Sequence, residues 1–278
     1  MTNNQQYLKD NLTSIEIETF SYCNRTCSFC PNSFIDRHSH NIEMDSAIYL
    51  SILRQLRDIN YSKIISFSRY NEPLAYRCVI LDRIATAREY VPNAKLHTNT
   101  NGDYITDGYL KCLHKSGLNS LHIQAYIDGE WNADDANTLI DKMIHKLNLK
   151  GNFRDGYVRS KGITFESRYE DMKILLYSRD FNNDGCSRGD SIDIRKKYVR
   201  KSRCIQPSKG MYIDYNNKAM MCCNVRSDIP EHEHCIVGDV STDKLADIFN
   251  SEKINKIRAE LNKSNIQITP CNSCSFGL

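Results

Sequence analysis

SYCNRTCSFCPNS, residues 21–33, holds Cys23, Cys27 and Cys30 in a C-x3-C-x2-C array. Three thiolates within eight residues of loop can converge on one face of a cubane iron–sulfur cluster, because soft sulfur ligands suit iron. They leave one iron of a four-iron cluster without a protein ligand, an open position where a small molecule can bind. The competing reading is structural zinc, which needs four closed ligands, with His38 or His40 as the fourth. The array follows Ser14–Tyr22 (SIEIETFSY), where apolar and polar residues alternate as in a strand. The C-terminal end of a first strand is where barrels of alternating strands and helices place their active sites.

The alternation continues downstream. Asp45–Asp58 has apolar residues at helical spacing behind an Asp45 cap. Lys63–Ser68 predicts a short strand, and Leu74–Tyr90 a helix stopped by Pro92. Lys95–Thr98 predicts a strand, Asn101-Gly102-Asp103 a turn, and Thr106–Ser116 a helix. Leu118–Ile127 and Asp134–Leu149 complete a further strand and helix. This order predicts a parallel α/β sheet. Regularity falls after Gly151, although Met172–Tyr177 predicts a late strand. Gly210–Asp214 and Lys218–Met221 predict a hairpin around Asn216-Asn217, and Asp243–Leu261 a helix. The change of pattern between Asp190 and Arg203 divides the chain into 1–190 and 191–278.

Bulk properties narrow the function class. A formal charge of +3 over 278 residues lacks the basic excess of a nucleic-acid binder. No stretch reaches the roughly 18 apolar residues of a membrane span. Met1–Asp10 is polar and has no apolar core, so no secretory signal is expected, and a reducing cytoplasm is the expected compartment. In that setting metal or cluster ligation is a better reading of the high cysteine count than disulfides, and seven of the twelve cysteines cluster at ligand spacings.

Cys204, Cys222, Cys271 and Cys274 form a second set, ending in a C-x2-C pair. Cys204 precedes the expected hairpin and Cys222 ends it. Four thiolates would close a cluster, as suits electron transfer, although a zinc ribbon has the same spacing. Cys223, beside Cys222, is a spare ligand, an inert thiol or a hydrogen-atom donor. Cys78, Cys112, Cys186 and Cys235 stand alone and read as buried apolar cysteines. His232 and His234 read as part of a solvated charged loop.

The first array resembles the C-x3-C-x-Φ-C signature of the radical S-adenosylmethionine (SAM) superfamily, with Phe29 as the aromatic residue. Tyr70-Asn71-Glu72-Pro73 stands where that family has a GGEP-type motif, and departs from it at both glycines. Thr100-Asn101-Gly102-Asp103 is similar to the turn of related enzymes. The second set resembles a twitch or SPASM domain, and Ser187-Arg188-Gly189-Asp190 an NRGG-like motif before it. The resemblance extends to the members acting on aminocyclitols and is thin between Trp131 and Tyr177.

It implies a partial (β/α)6 TIM-like barrel followed by a small C-terminal twitch/SPASM-like domain. Its cofactors would be SAM and two [4Fe-4S] clusters, on Cys23, Cys27 and Cys30 and on Cys204, Cys222, Cys271 and Cys274. In the family, SAM chelates the open iron and its cleavage yields a radical that abstracts hydrogen from substrate. Phe29, Glu72, Asn101, Gly102 and Gln124 would face SAM or substrate, and Arg188 would orient a substrate hydroxyl. The implied reaction is oxidation of a secondary alcohol on a sugar or aminocyclitol, with the auxiliary cluster accepting an electron from a reaction started by flavodoxin or ferredoxin. The alternatives are epimerisation with Cys223 as donor, modification of a peptide, and, outside enzymes, a zinc-binding interaction module.

Overall fold

The structure is a computed structural model describing residues 1–127, 129–154, 162–194 and 198–276. Residues 195–197, inside the expected boundary, lie outside this description. Helix α1 (Asn3–Asn11) leads into β1 (Ser14–Ile17). There follow α2 (Ser46–Asp58), β2 (Ile64–Ser66), α3 (Arg77–Tyr90), β3 (Lys95–Thr100), α4 (Asp107–Lys115), β4 (Ser120–Gln124) and α5 (Ala133–Lys146). A hairpin of β5 (Gly151–Arg154) and β6 (Ile163–Tyr169) precedes β7 (Met172–Ser178) and a single turn, α6 (Phe181–Asp184). The remainder comprises α7 (Gln206–Lys209), β8 (Gly210–Ile213), β9 (Lys218–Met220), β10 (Ile236–Asp239), α8 (Leu245–Phe249) and α9 (Glu252–Leu261).

The ten strands of the described residues lie in one sheet, in the order β10-β9-β8-β1-β2-β3-β4-β7-β6-β5. Every neighbouring pair from β8 to β7 is parallel, while both flanks are antiparallel. The sheet therefore crosses the expected boundary, with Ile15 beside Met211 and Ile17 beside Ile213.

Strand alternation separates two chemistries. Ile15, Ile65, Leu96, Leu121 and Ile123 share a core with Tyr49, Ile52, Leu53 and Leu56 of α2. The other face carries Glu16, Ser66, His97 and Ser120 side by side across four strands, with Asn99 and His122 in the next row. A TIM-barrel interior is normally filled with Val, Ile and Leu; this face is polar.

Local signals explain most elements. The Asp45 carboxylate accepts hydrogen bonds from Ala47 N (2.7 Å) and Ile48 N (3.4 Å), starting α2. The expected 243–261 helix is two, because the Ser251 hydroxyl accepts from Ile254 N at 3.3 Å and restarts the chain as α9. Among the described residues no helix is long and apolar enough to cross a membrane.

Candidate active site

Cys23, Cys27 and Cys30 line one cavity at the C-terminal ends of β1–β4, together with Glu72, Asn101 and Tyr126. About 510 Å³ of unfilled space, part of it open to solvent, lies among these side chains. Cys30 is fixed by a turn, its N–H donating to Cys27 O at 2.9 Å, and Cys23 N donates to Arg37 O at 3.0 Å. Burial pushes the Cys23 thiol up to about 12, as for a thiol that loses its proton only when a metal replaces it. His38 and His40 are exposed, and His38 stacks on Tyr22 with ring centroids 5.7 Å apart. Neither lines the cavity. No group of three His, Cys, Asp or Glu among the described residues closes around a single ion. The sulfur donors and the roomy cavity fit a cluster with one open iron.

Glu72 is 2% exposed. Its carboxylate accepts from Thr100 Oγ1 (2.6 Å), Leu74 N (3.0 Å) and Asn101 N (2.7 Å). Burial nevertheless raises its pKa to about 7. Asn101 reaches across to the cysteine loop, its Nδ2 donating to Asn24 Oδ1 at 2.8 Å. Arg25 ties the loop to the turn through Asp103 at 2.6 Å. Gly102 has φ +80°, and a Cβ there would lie 2.4 Å from Met143 Cε. Phe29 stacks on Phe181 with centroids 3.7 Å apart and on Tyr126 at 5.2 Å. Gln124 is buried with its Nε2 unpartnered, at the end of β4.

The departure at Tyr70-Asn71 has a structural reason. The Glu18 carboxylate accepts from both backbone amides, at 2.5 and 2.8 Å. The Tyr70 ring leaves the strand end to pack in the second hydrophobic cluster, with Tyr212, Met220 and Val225. Its hydroxyl donates to Cys223 O at 3.1 Å. A glycine there could not make this bridge.

Cys204, Cys222, Cys271 and Cys274 line a second cavity of about 320 Å³ with Met221, Leu261 and Phe276. Burial pushes Cys274 up to about 11 and raises Cys222 and Cys271. Asn224 N donates to Cys222 Sγ at 3.4 Å. Arg200 holds the C-terminal segment, donating to Cys274 O at 2.7 Å and Phe276 O at 2.9 Å. Four sulfur donors in an apolar, enclosed space fit a fully ligated cluster.

Between the two cavities lies a layer that sequence reasoning largely missed. Arg69, which lines the first cavity, donates to Cys223 O and, at 2.9 Å, to Asn224 Oδ1. Arg188, at φ +49°, donates to the same Asn224 oxygen at 2.9 Å. Glu16 Oε2 stands 3.7 Å from Arg69 Nε. Cys223 is pushed up to about 12 by burial, within reach of the charges of Arg69, Glu16 and Arg188. The sequence placed Arg188 and Cys223 at the site, but gave no signal for Arg69, Asn224 or Glu16 beyond their strand-end and hairpin positions. Two expectations are corrected. His232 is buried, its ring accepting from Arg226 N at 3.1 Å and its Nε2 bonded to Gly189 O at 2.7 Å. Cys78 is exposed and Cys112 only half-buried, while Cys186 and Cys235 are buried.

Residues 17–125 match the family described as the radical SAM superfamily, and residues 204–275 match the iron–sulfur cluster-binding SPASM domain. An S-adenosyl-L-methionine-dependent 2-deoxy-scyllo-inosamine dehydrogenase of Niallia circulans is 28% identical over 250 residues, 89% of this chain and 86% of that protein. The crystal structure of BtrN in complex with AdoMet and 2-DOIA superposes with a TM-score of 0.69 at 21% identity, over 96% of this chain and 94% of that one. Native anSMEcpe with bound AdoMet and Cp18Cys peptide gives a TM-score of 0.51 at 12% identity, over 95% and 86%. The two domain matches imply SAM and two iron–sulfur clusters, as the two cysteine-lined cavities do. Residues 17–125 thus carry a radical SAM domain, and residues 204–275 behind it an iron–sulfur cluster-binding SPASM domain.

Proposed function

We propose that the chain is an oxidoreductase that converts a secondary alcohol of a sugar- or aminocyclitol-type small molecule into a ketone, in a reducing compartment such as the cytoplasm. The polar inner face of the sheet carries this reading. Glu16, Ser66, His97 and Ser120 present donors and acceptors on the face where such barrels usually pack aliphatic side chains, which suits a hydroxyl-rich substrate. The dehydrogenase activity of the Niallia circulans relative supports the same reading.

When bound, SAM and its cluster supply hydrogen-atom abstraction, and the auxiliary cluster accepts an electron. The chain does the rest. Cys23, Cys27 and Cys30 would hold one cluster within residues 1–190, and Cys204, Cys222, Cys271 and Cys274 the other within 191–278. Glu72, in the lining of the same cavity, would serve as counter-charge to the SAM ammonium. Phe29, stacked with Phe181 and Tyr126, offers a flat apolar wall. The Asn101-Gly102 turn fixes the cavity rim against the cysteine loop. Gln124, with a free buried amide, and Arg188 orient the polyol. The partner supplying electrons is a flavodoxin or ferredoxin.

The test is anaerobic reconstitution followed by mass spectrometry with a panel of aminocyclitols, sugars and peptides. About eight iron per chain and one 5′-deoxyadenosine per ketone are expected. Stoichiometric zinc, or products confined to the peptides, would defeat the reading. One observation favours a second reading. Cys223 stands in the layer between the two cavities, its backbone held by Arg69 and the Tyr70 hydroxyl, a position that suits a hydrogen-atom donor for epimerisation. An epimerised product carrying solvent deuterium, lost in Cys223→Ala, would select it.

A further inference from the structure

We infer that Glu16 is the proton acceptor for the reacting hydroxyl, an inference that rests on the alcohol-oxidation reading. Converting a secondary alcohol to a ketone removes a hydrogen atom from carbon, a proton from oxygen and one more electron. The hydrogen atom leaves with the SAM-derived radical and the electron with the auxiliary cluster. The proton needs a base beside the carbinol oxygen, and the C=O bond forms as it departs.

Glu16 occupies the inner face of β1, with Ser66 and Tyr212 as its lateral neighbours. Its Oε2 is shut from solvent yet has no hydrogen-bond partner, while 25% of the side chain remains open. A buried acceptor left unsatisfied is costly, and one on a polar face beside Arg69, which lines the first cavity, suits a donor brought by a ligand. The Arg69 guanidinium stands 3.7 Å away, beyond hydrogen-bond distance, where its charge can stabilise a substrate oxygen that approaches Glu16. The groups whose fields reach Glu16 are Arg69, Arg188, Glu18 and the Cys223 thiol. Burial outweighs the two arginines and holds its pKa above the usual carboxylate value, which strengthens it as a base at neutral pH.

The other candidates on this face are committed or too weak. Glu18 accepts from Tyr70 N, Asn71 N, Arg37 and the Tyr212 hydroxyl. Glu72 holds the Thr100–Asn101 turn. His97 Nδ1 is bonded to Ser120 Oγ at 2.9 Å, and burial lowers His97 to about 4 and His122 to about 3, leaving poor bases.

The experiment compares wild-type, Glu16→Gln and Glu16→Asp holoenzymes, reconstituted with both clusters. The probes are 2-deoxy-scyllo-inosamine and a sugar panel, each deuterated at the carbinol carbon. In Glu16→Gln, deuterium should still reach 5′-deoxyadenosine. Ketone should fall by about a hundredfold or more, and a substrate-centred radical should build up in electron paramagnetic resonance spectra. Glu16→Asp should restore part of the ketone and diminish that signal. Ketone from Glu16→Gln within about threefold of wild type overturns the inference alone, as does loss of deuterium transfer with iron content intact, which would make Glu16 a binding group. If wild-type enzyme makes no ketone from any probe, the oxidation reading itself falls and this inference with it.

Discussion

Glu72 is under two opposed influences. Burial pushes its pKa to about 7, while three hydrogen bonds from Leu74, Thr100 and Asn101 favour the charged form. Its folded value lies above the usual glutamate value of 4.5, so the protonated form is favoured by folding at low pH. That contribution to stability fades as pH rises through about 7. An ammonium ligand needs the carboxylate. SAM affinity should therefore fall as pH drops below about 7, by up to about tenfold per unit. Glu72→Gln should bind SAM weakly and without this dependence. Anaerobic equilibrium dialysis from about pH 6 to 8 measures both; equal slopes in the two proteins would remove Glu72 from the ammonium site. At this scale the cysteines and Glu72 were readable, because thiol spacing and a carboxylate before proline are local patterns. Glu16 was not, since a Glu alternating with isoleucines is equally a solvated strand residue until Arg69 and Arg188 are brought beside it.

The turn after β3 shows how one element holds two others. Thr100 and Asn101 bind Glu72, Asn101 binds Asn24 of the cysteine loop, and Gly102 N donates to Thr100 Oγ1 at 3.1 Å. Gly102 adopts φ +80°, where an L-residue costs about 1–2 kcal/mol. The Met143 methyl must also yield to any added Cβ, although it is the end of a flexible side chain. Gly102→Ala should lower the apparent Tm by about 2–6 °C and weaken SAM binding through Asn101, as thermal melting and dialysis would show. An unchanged melting temperature would mean the turn relaxes freely. The helices and parallel strands of the first 150 residues were legible because their apolar periods and caps are local. The β5–β6 hairpin was not: Phe153 and Phe165 face each other across it with ring centroids 5.2 Å apart, a pairing that their own segments do not announce. The α8–α9 break turns on one serine cap that the apolar period runs straight through.

At the scale of the molecule, the two cluster units are joined by charge as well as by the β1–β8 pairing. Glu18 at the end of β1 bonds Arg37, Arg37 bonds Asp228 at 3.1 Å, and Asp228 bonds Arg226. Arg226 returns to the cysteine loop through Asn32 Oδ1 at 2.7 Å, and Asn32 Nδ2 donates to Tyr70 O at 2.8 Å. Arg226 is fully buried. The two links that tie the units together, Arg37–Asp228 and Arg226–Asn32, are not visible in the sequence, where their partners stand 191 and 194 positions apart. The two arginines hold Asp228 down to about 2, from 3.8. Its stabilising contribution is present above pH 3.8 and is lost as pH falls through about 2. Removing one member leaves the others buried without a counter-charge, which typically costs about 3–5 kcal/mol. Asp228→Asn should therefore lower the guanidinium midpoint of the reconstituted protein. Because Arg226 and Arg37 both touch the first cysteine loop, iron should be lost from both clusters, although Asp228 ligates neither. Iron analysis beside the denaturation curve decides it: loss of only the auxiliary cluster would show that the two units fold independently of this network.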